Sequence, residues 1–189
     1  MKIQEEQIKS DFGGEADKLD LLDVHKKYNF RRYFASQKLD TAVHSGFVER
    51  AVYVPHLNLI LTVENQSKDI KLYDLDCKLK QRLYPSFVKN GFVMDADYSD
   101  SQIGCVGSDS CMYFFEKCDE GWEITKCINA PSIQTRIKYL KLPQHQYWAT
   151  AGKDHCLRIW DPLLPGSSGS QISQHTGFGD EIMCIVEIE

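Results

Sequence analysis

The chain has no run approaching the 18 or so apolar residues that a membrane-spanning helix needs. Its first residues, Met1 to Asp11, are polar and mixed in charge, without the apolar centre of a secretory signal. These absences set a cytoplasmic, reducing environment as the expectation, with no membrane partner. Closely spaced cysteine pairs are missing too. The seven cysteines (Cys77, Cys105, Cys111, Cys118, Cys127, Cys156 and Cys184) include no C-x-x-C. An odd number of singly spread thiols, several inside apolar runs, reads as free thiols. Asp154-His155-Cys156 falls in a tight turn where adjacent side chains diverge, so zinc is not expected. Also absent are a G-x-S-x-G elbow, an H-E-x-x-H and a phosphate-cradling loop. Gly166-Ser167-Ser168-Gly169-Ser170 lacks the lysine of such a loop and reads as a flexible hairpin connection. No catalytic residue, metal or cofactor is expected. Positive charge is in short supply: 22 Lys and Arg face 27 Asp and Glu, for a net charge of -5. A duplex nucleic-acid binder would present a basic face. The pairs Lys26-Lys27 and Arg31-Arg32 are read as solvated surface.

What is present changes character along the chain. Residues 1–29 divide into a polar tail ending at Gly13-Gly14 and a short amphipathic helix, in which Leu19, Leu21, Leu22, Val24 and Tyr28 recur at helical spacing. Residues 30–189 are different. Short runs such as Ala51–Val54, Leu59–Val63 and Ile70–Tyr73 are bounded by clusters of Pro, Asn, Asp, Gly and Ser. That alternation predicts an all-β domain. Asp95-Ala96-Asp97-Tyr98-Ser99-Asp100 opens like a calcium loop, but Asp100 stands where the glycine is needed and Val106 where the closing glutamate is. It reads as a strand and its turn.

Three segments repeat one pattern: a small-residue strand, a polar turn, then a strand ending in an aromatic residue and an acid. The clearest runs from Trp148 to Asp161 through Gly152-Lys153-Asp154; the second runs from Ile103 to Glu116, and the first from Leu59 to Asp74. Their terminal acids, Asp74, Glu116 and Asp161, recur at intervals of about 40–45 residues, the period of a four-stranded propeller blade.

These segments resemble the WD-repeat family. Trp160-Asp161 is the signature dipeptide, with Tyr73-Asp74 and Phe115-Glu116 as variants; His44 precedes the first repeat, and His175 leads a fourth, incomplete one. The resemblance implies a β-propeller in which His, Ser/Thr, Asp and Trp form a hydrogen-bonded chain that shapes each blade. Carried onto this sequence, the chain comprises Thr150, Asp154 and Trp160 in the third repeat, which has no His. In the first repeat it comprises His44, Thr62 and Tyr73, with Ser67 in place of the turn Asp. In the second it comprises Asp109 and Phe115, with Cys105 at the hydroxyl position. Arg32–Ala35 is expected as the outer strand of a preceding blade, and Ile182–Ile188 as the inner strand of a following one.

About three full blades cannot close a ring of four to eight. The expectation is therefore an incomplete WD-repeat propeller, finished by other segments in cis or in trans, that acts as a non-catalytic scaffold for other proteins. Trp122, at the start of an outer strand, is a candidate partner anchor. A second expectation is a repeat module in a large cytoskeletal or ciliary assembly, such as the axoneme, on a likeness to the large axonemal WD-repeat proteins. It rests on the loose spelling of the repeats, on Trp122-Glu123-Ile124 and on the run from Ile133 to Tyr139.

Overall fold

β-Branched and aromatic runs separated mostly by turns of two to five residues favour antiparallel neighbours, because tight connections can only fold a strand back on its predecessor. The computed structural model of the protein describes residues 46–187, apart from 88–89, 120, 143–144 and 166–169. The expected helix in residues 1–29, His44 and Arg32–Ala35 lie outside the described residues. Three four-stranded sheets form, each pairing in chain order. The first holds β1 (Val48–Val54), β2 (Leu59–Glu64), β3 (Ile70–Tyr73) and β4 (Leu79–Leu83). The second holds β5 (Val93–Tyr98), β6 (Gln102–Gly107), β7 (Cys111–Cys118) and β8 (Gly121–Asn129). The third holds β9 (Gln134–Leu142), β10 (His145–Gly152), β11 (Leu157–Trp160) and β12 (Gln171–His175). All pairings are antiparallel. The one helical turn among the described residues is the 3-10 turn Pro55–Leu57, closed by Asn58 in the left-handed region. No helix among them is long and apolar enough to cross a membrane.

The sheets repeat one another in backbone detail. The amides of Asn65, Ser108 and Lys153, each opening the turn between second and third strands, donate to the carbonyls of Phe47, Phe92 and Ile133. Each turn then closes on itself: the amides of Ser67, Ser110 and His155 donate to the carbonyls of Glu64, Gly107 and Gly152. Each also holds a non-glycine residue at positive φ, namely Gln66, Ser110 or His155.

Successive side chains of a strand point to opposite faces, and consecutive sheets stack through their apolar ones. One core joins the first two sheets: Leu61, Val63, Ile70 and Leu72 meet Ile103, Cys105, Tyr113 and Phe115. A second joins the next two: Val106, Met112, Phe114 and Ile128 meet Ile137, Trp148 and Trp160. The leading strands lie together at one side of the stack, β1 against β5 and β5 against β9. Gly104 is required there. A Cβ on it would lie 2.6 Å from the Trp148 ring, which stands edge-on to Phe114.

The expected inner strand at Ile182–Ile188 has not formed: up to residue 187, the segment after β12 belongs to no sheet. A strand is defined by a partner, and no further strand lies beside it among the described residues.

Candidate functional site

The residues of the expected chain in the third sheet do come together. Trp160 stands opposite Trp148 in the β10–β11 ladder, and Thr150 stands opposite Arg158. Trp160 Nε1 donates to Thr150 Oγ1 at 2.7 Å, and the threonine hydroxyl donates onward to Gln134 Oε1 at 2.7 Å. Gln134 Nε2 donates to the Ser132 carbonyl and hydroxyl at 2.8 and 3.1 Å. Ser132 hydrogen-bonds Asp154, whose carboxylate forms a bidentate pair with Arg158. The chain therefore runs Trp160, Thr150, Gln134, Ser132, Asp154, Arg158. Gln134 links Thr150 to Ser132, because its amide accepts with one atom and donates with another. The group crowds around Gly152, where a Cβ would lie 2.5 Å from Asp154 Oδ1 and 2.8 Å from Gln134 Nε2. Arg158, almost fully buried, holds the Asp154 carboxyl below the usual carboxylate range.

The equivalent positions of the other sheets hold different chemistry. In the second, Tyr113 stands where Arg158 does and donates to Asp109 Oδ2 at 2.5 Å, while the Cys111 amide donates to Asp109 Oδ1 at 3.2 Å. Cys105 and Phe115 are buried without a polar chain between them, and burial pushes the Cys105 thiol far up. In the first sheet, Lys71 fills that position and pairs with Glu64 of β2. Thr62 Oγ1 donates to the Lys71 carbonyl at 3.5 Å. The turn serine, Ser67, bonds Asp69, which also meets Arg82 at 3.2 Å. Burial, then the Glu64 charge, raises the Tyr73 hydroxyl to about 12.

Two of the terminal acids cap the turns that follow their strands, while Glu116 lies inside β7 and accepts from Gln102 Nε2 at 2.6 Å. Asp74 Oδ1 accepts from the Lys78 amide at 2.8 Å, and Asp161 Oδ1 from the Leu163 amide at 2.9 Å. His175 is exposed at the end of β12. Trp122 is half-buried on β8 and packs with Ile124 against the first core. All seven cysteines are free thiols.

A polar cluster that the repeat pattern did not point to lies where the leading strands meet. Asp95 and Asp97, both buried, project from β5. Asp95 Oδ2 accepts from the Ile137 amide at 3.0 Å, and Asp97 Oδ2 accepts from the Tyr139 amide and Lys138 Nζ, both at 2.9 Å. From the other side Arg50 of β1 reaches both carboxylates, at 3.3 and 3.7 Å. Burial raises the Asp95 carboxyl to about 6, against the opposing pull of Arg50 and of the two backbone amides. The alternate acids set aside as a calcium motif are thus the joint between three sheets. Two acids at i and i+2 on an apolar strand were the available signal.

No family model matches the chain. No curated protein matches it either. Two computationally designed proteins solved by crystallography are similar to it in fold. For the Ika4 protein the TM-score is 0.55 at 14% identity, over 73% of this chain and 78% of that one. For the Ika8 protein it is 0.58 at 14% identity, over 77% of this chain and 42% of that one. At such identity the likeness concerns the arrangement of strands alone.

Among the described residues, one surface of the stack has no sheet packed on it. Ile70 and Leu72 of β3, and Met112 and Phe114 of β7, are fully buried beneath the next sheet. Their counterparts on β11, Leu157 and Ile159, are only half-buried, and Ile172 on the adjoining β12 is 45% exposed.

Proposed function

We propose that the protein is a non-catalytic scaffold of the WD-repeat type, an incomplete β-propeller whose exposed sheet face and loops dock other proteins. The observation that carries the reading is the stack itself: three four-stranded meanders, each buried on its neighbour, with leading strands side by side and an onward face left half-covered. The three turns share one backbone design, and the third repeat runs a Trp–Thr–polar–Asp chain of the kind the family uses. The buried charges are engaged structurally, since Asp95 and Asp97 accept backbone amides and Arg158 grips Asp154. Rigid strands that present loops in fixed positions suit docking of several partners. The site of action is the cytoplasm.

The test is cross-linking and co-purification of the tagged full chain from its native cells, including the salt-resistant cytoskeletal fraction. The expected result is a stoichiometric protein partner cross-linked to the face around Leu157 and Ile159 or to adjoining loops. Recovery in the salt-resistant fraction would identify the partner assembly as cytoskeletal or ciliary. A chain that elutes alone from every fraction, or one with substrate turnover, would overturn the scaffold reading.

A further inference from the structure

The geometry points to a strand-addition site for a basic-flanked β-strand of another polypeptide, built from residues 181–187 together with Leu157 and Ile159. This inference rests on the scaffold reading and names the chemistry of its partner. The segment is spelled like the leading strands before it. Gly177-Phe178 opens it as Gly46-Phe47 opens β1 and Gly91-Phe92 opens β5. It is tethered to the same edge of β9 that meets β5, again by a carboxylate that accepts a β9 amide. The Lys141 amide donates to Glu187 Oε1 at 2.9 Å, continuing the row in which the Ile137 and Tyr139 amides donate to Asp95 and Asp97. Arg136 Nε donates to the Met183 carbonyl at 2.7 Å. Yet the segment has no strand partner among the described residues, and it exposes Met183 and Val186 at 65% and 72% while Ile182 and Ile185 are half-buried. In the preceding pair of sheets, the strand paired to the leading one, β6, covers Ile70 and Leu72, the counterparts of Leu157 and Ile159.

Charge decides between partners. Antiparallel pairing of two copies centred on Cys184 would set Glu181 opposite Glu187 twice, and like charges directly opposed destabilise a ladder. Asp180 adds to the repulsion at one end. A strand with an apolar centre and a Lys or Arg at each end would instead meet these acids as ion pairs. Its alternate side chains would cover Leu157 and Ile159.

Two synthetic peptides test this against the full chain by hydrogen–deuterium exchange: Lys-Val-Thr-Ile-Thr-Val-Lys and its acid-flanked twin, Glu-Val-Thr-Ile-Thr-Val-Glu. The basic peptide is expected to slow exchange across 181–187 at least several-fold and leave β1–β8 unchanged, whereas the acidic twin has little effect. Adjacent strand amides point opposite ways, so one of the variants Cys184→Pro and Ile185→Pro should abolish the protection, both keeping the parent's circular dichroism. Equal protection by both peptides, or none, overturns the proposal. So does concentration-dependent protection without peptide, which would assign the site to a second copy. If the peptides fail while native partners cross-link elsewhere on the chain, the scaffold reading stands and this site alone falls.

Discussion

A single buried cation shows how residue identity is spent in this molecule. Arg158 is fully desolvated, and Asp154, whose side chain is 32% exposed, is its charge partner. Removing one partner of a buried pair leaves an uncompensated charge. Allowing for that partial exposure, Asp154→Ala is expected to cost about 2 kcal/mol. Melting should fall by roughly 4–8 °C, since 1 kcal/mol shifts a domain of this size by about 2–4 °C. Arg158→Met in the same chain should recover most of the loss, because it removes the stranded charge. A single variant that melts within a degree of the parent would remove Asp154 from the network.

Asp95 gives a pH signature with a definite sign. Its folded pKa, about 6, lies above the ordinary 3.8, so the folded state holds the proton more tightly than the unfolded chain. The stability it contributes is present in full below pH 4 and is lost as pH rises through 6, up to about 3 kcal/mol. Asp95→Asn keeps an acceptor for the Ile137 amide and removes the titration. Urea unfolding from pH 4 to 7 should therefore show the parent losing stability relative to the variant across that window. An unchanged difference would mean that Asp95 is more hydrated than its burial implies.

At the scale of elements, close packing is set by small residues as much as by large ones. Gly104 on β6 leaves room for the Trp148 ring of β10, and Gly104→Ala forces a contact that the backbone cannot easily relieve. The expected cost is about 1–3 kcal/mol. In a Trp148→Leu background the same change should cost much less, and that coupling is the readout of a double-mutant cycle by denaturant melts. The strands of the repeats and their turns were legible in the sequence, because period-2 alternation and turn residues are local signals, whereas the Trp160–Thr150 contact was expected only from the resemblance to WD repeats. Gln134 was not. It accepts from Thr150 at the start of β9, and its proximity to Thr150 depends on the β9–β10 register, which spacing alone does not give. Asp95 and Asp97 were hidden for a related reason: acids in an apolar strand read as a metal loop or a solvated edge until the neighbouring strand is in place. The inner strand expected at Ile182–Ile188 had the right composition, but composition cannot supply a partner.

For the whole molecule, a stack in which each sheet touches only its neighbours makes stability depend on position. The middle sheet, β5–β8, is buried on both faces, while the third has one half-covered face. Hydrogen exchange should accordingly be slowest in β6 and β7 and fastest in β12, whose residues are half-buried or exposed throughout. Uniform protection across all twelve strands would mean that the described domain opens as one cooperative unit.

The carboxylates between β5 and β9 also act as punctuation. Each takes an amide that an adjoining strand's carbonyl would otherwise claim, and a side chain offers no further donor through which a ladder could continue. Two sheets can therefore meet edge to edge without fusing into one broad, eight-stranded surface. Acids at two positions of β5 thus keep β5 and β9 as edges of two separate sheets.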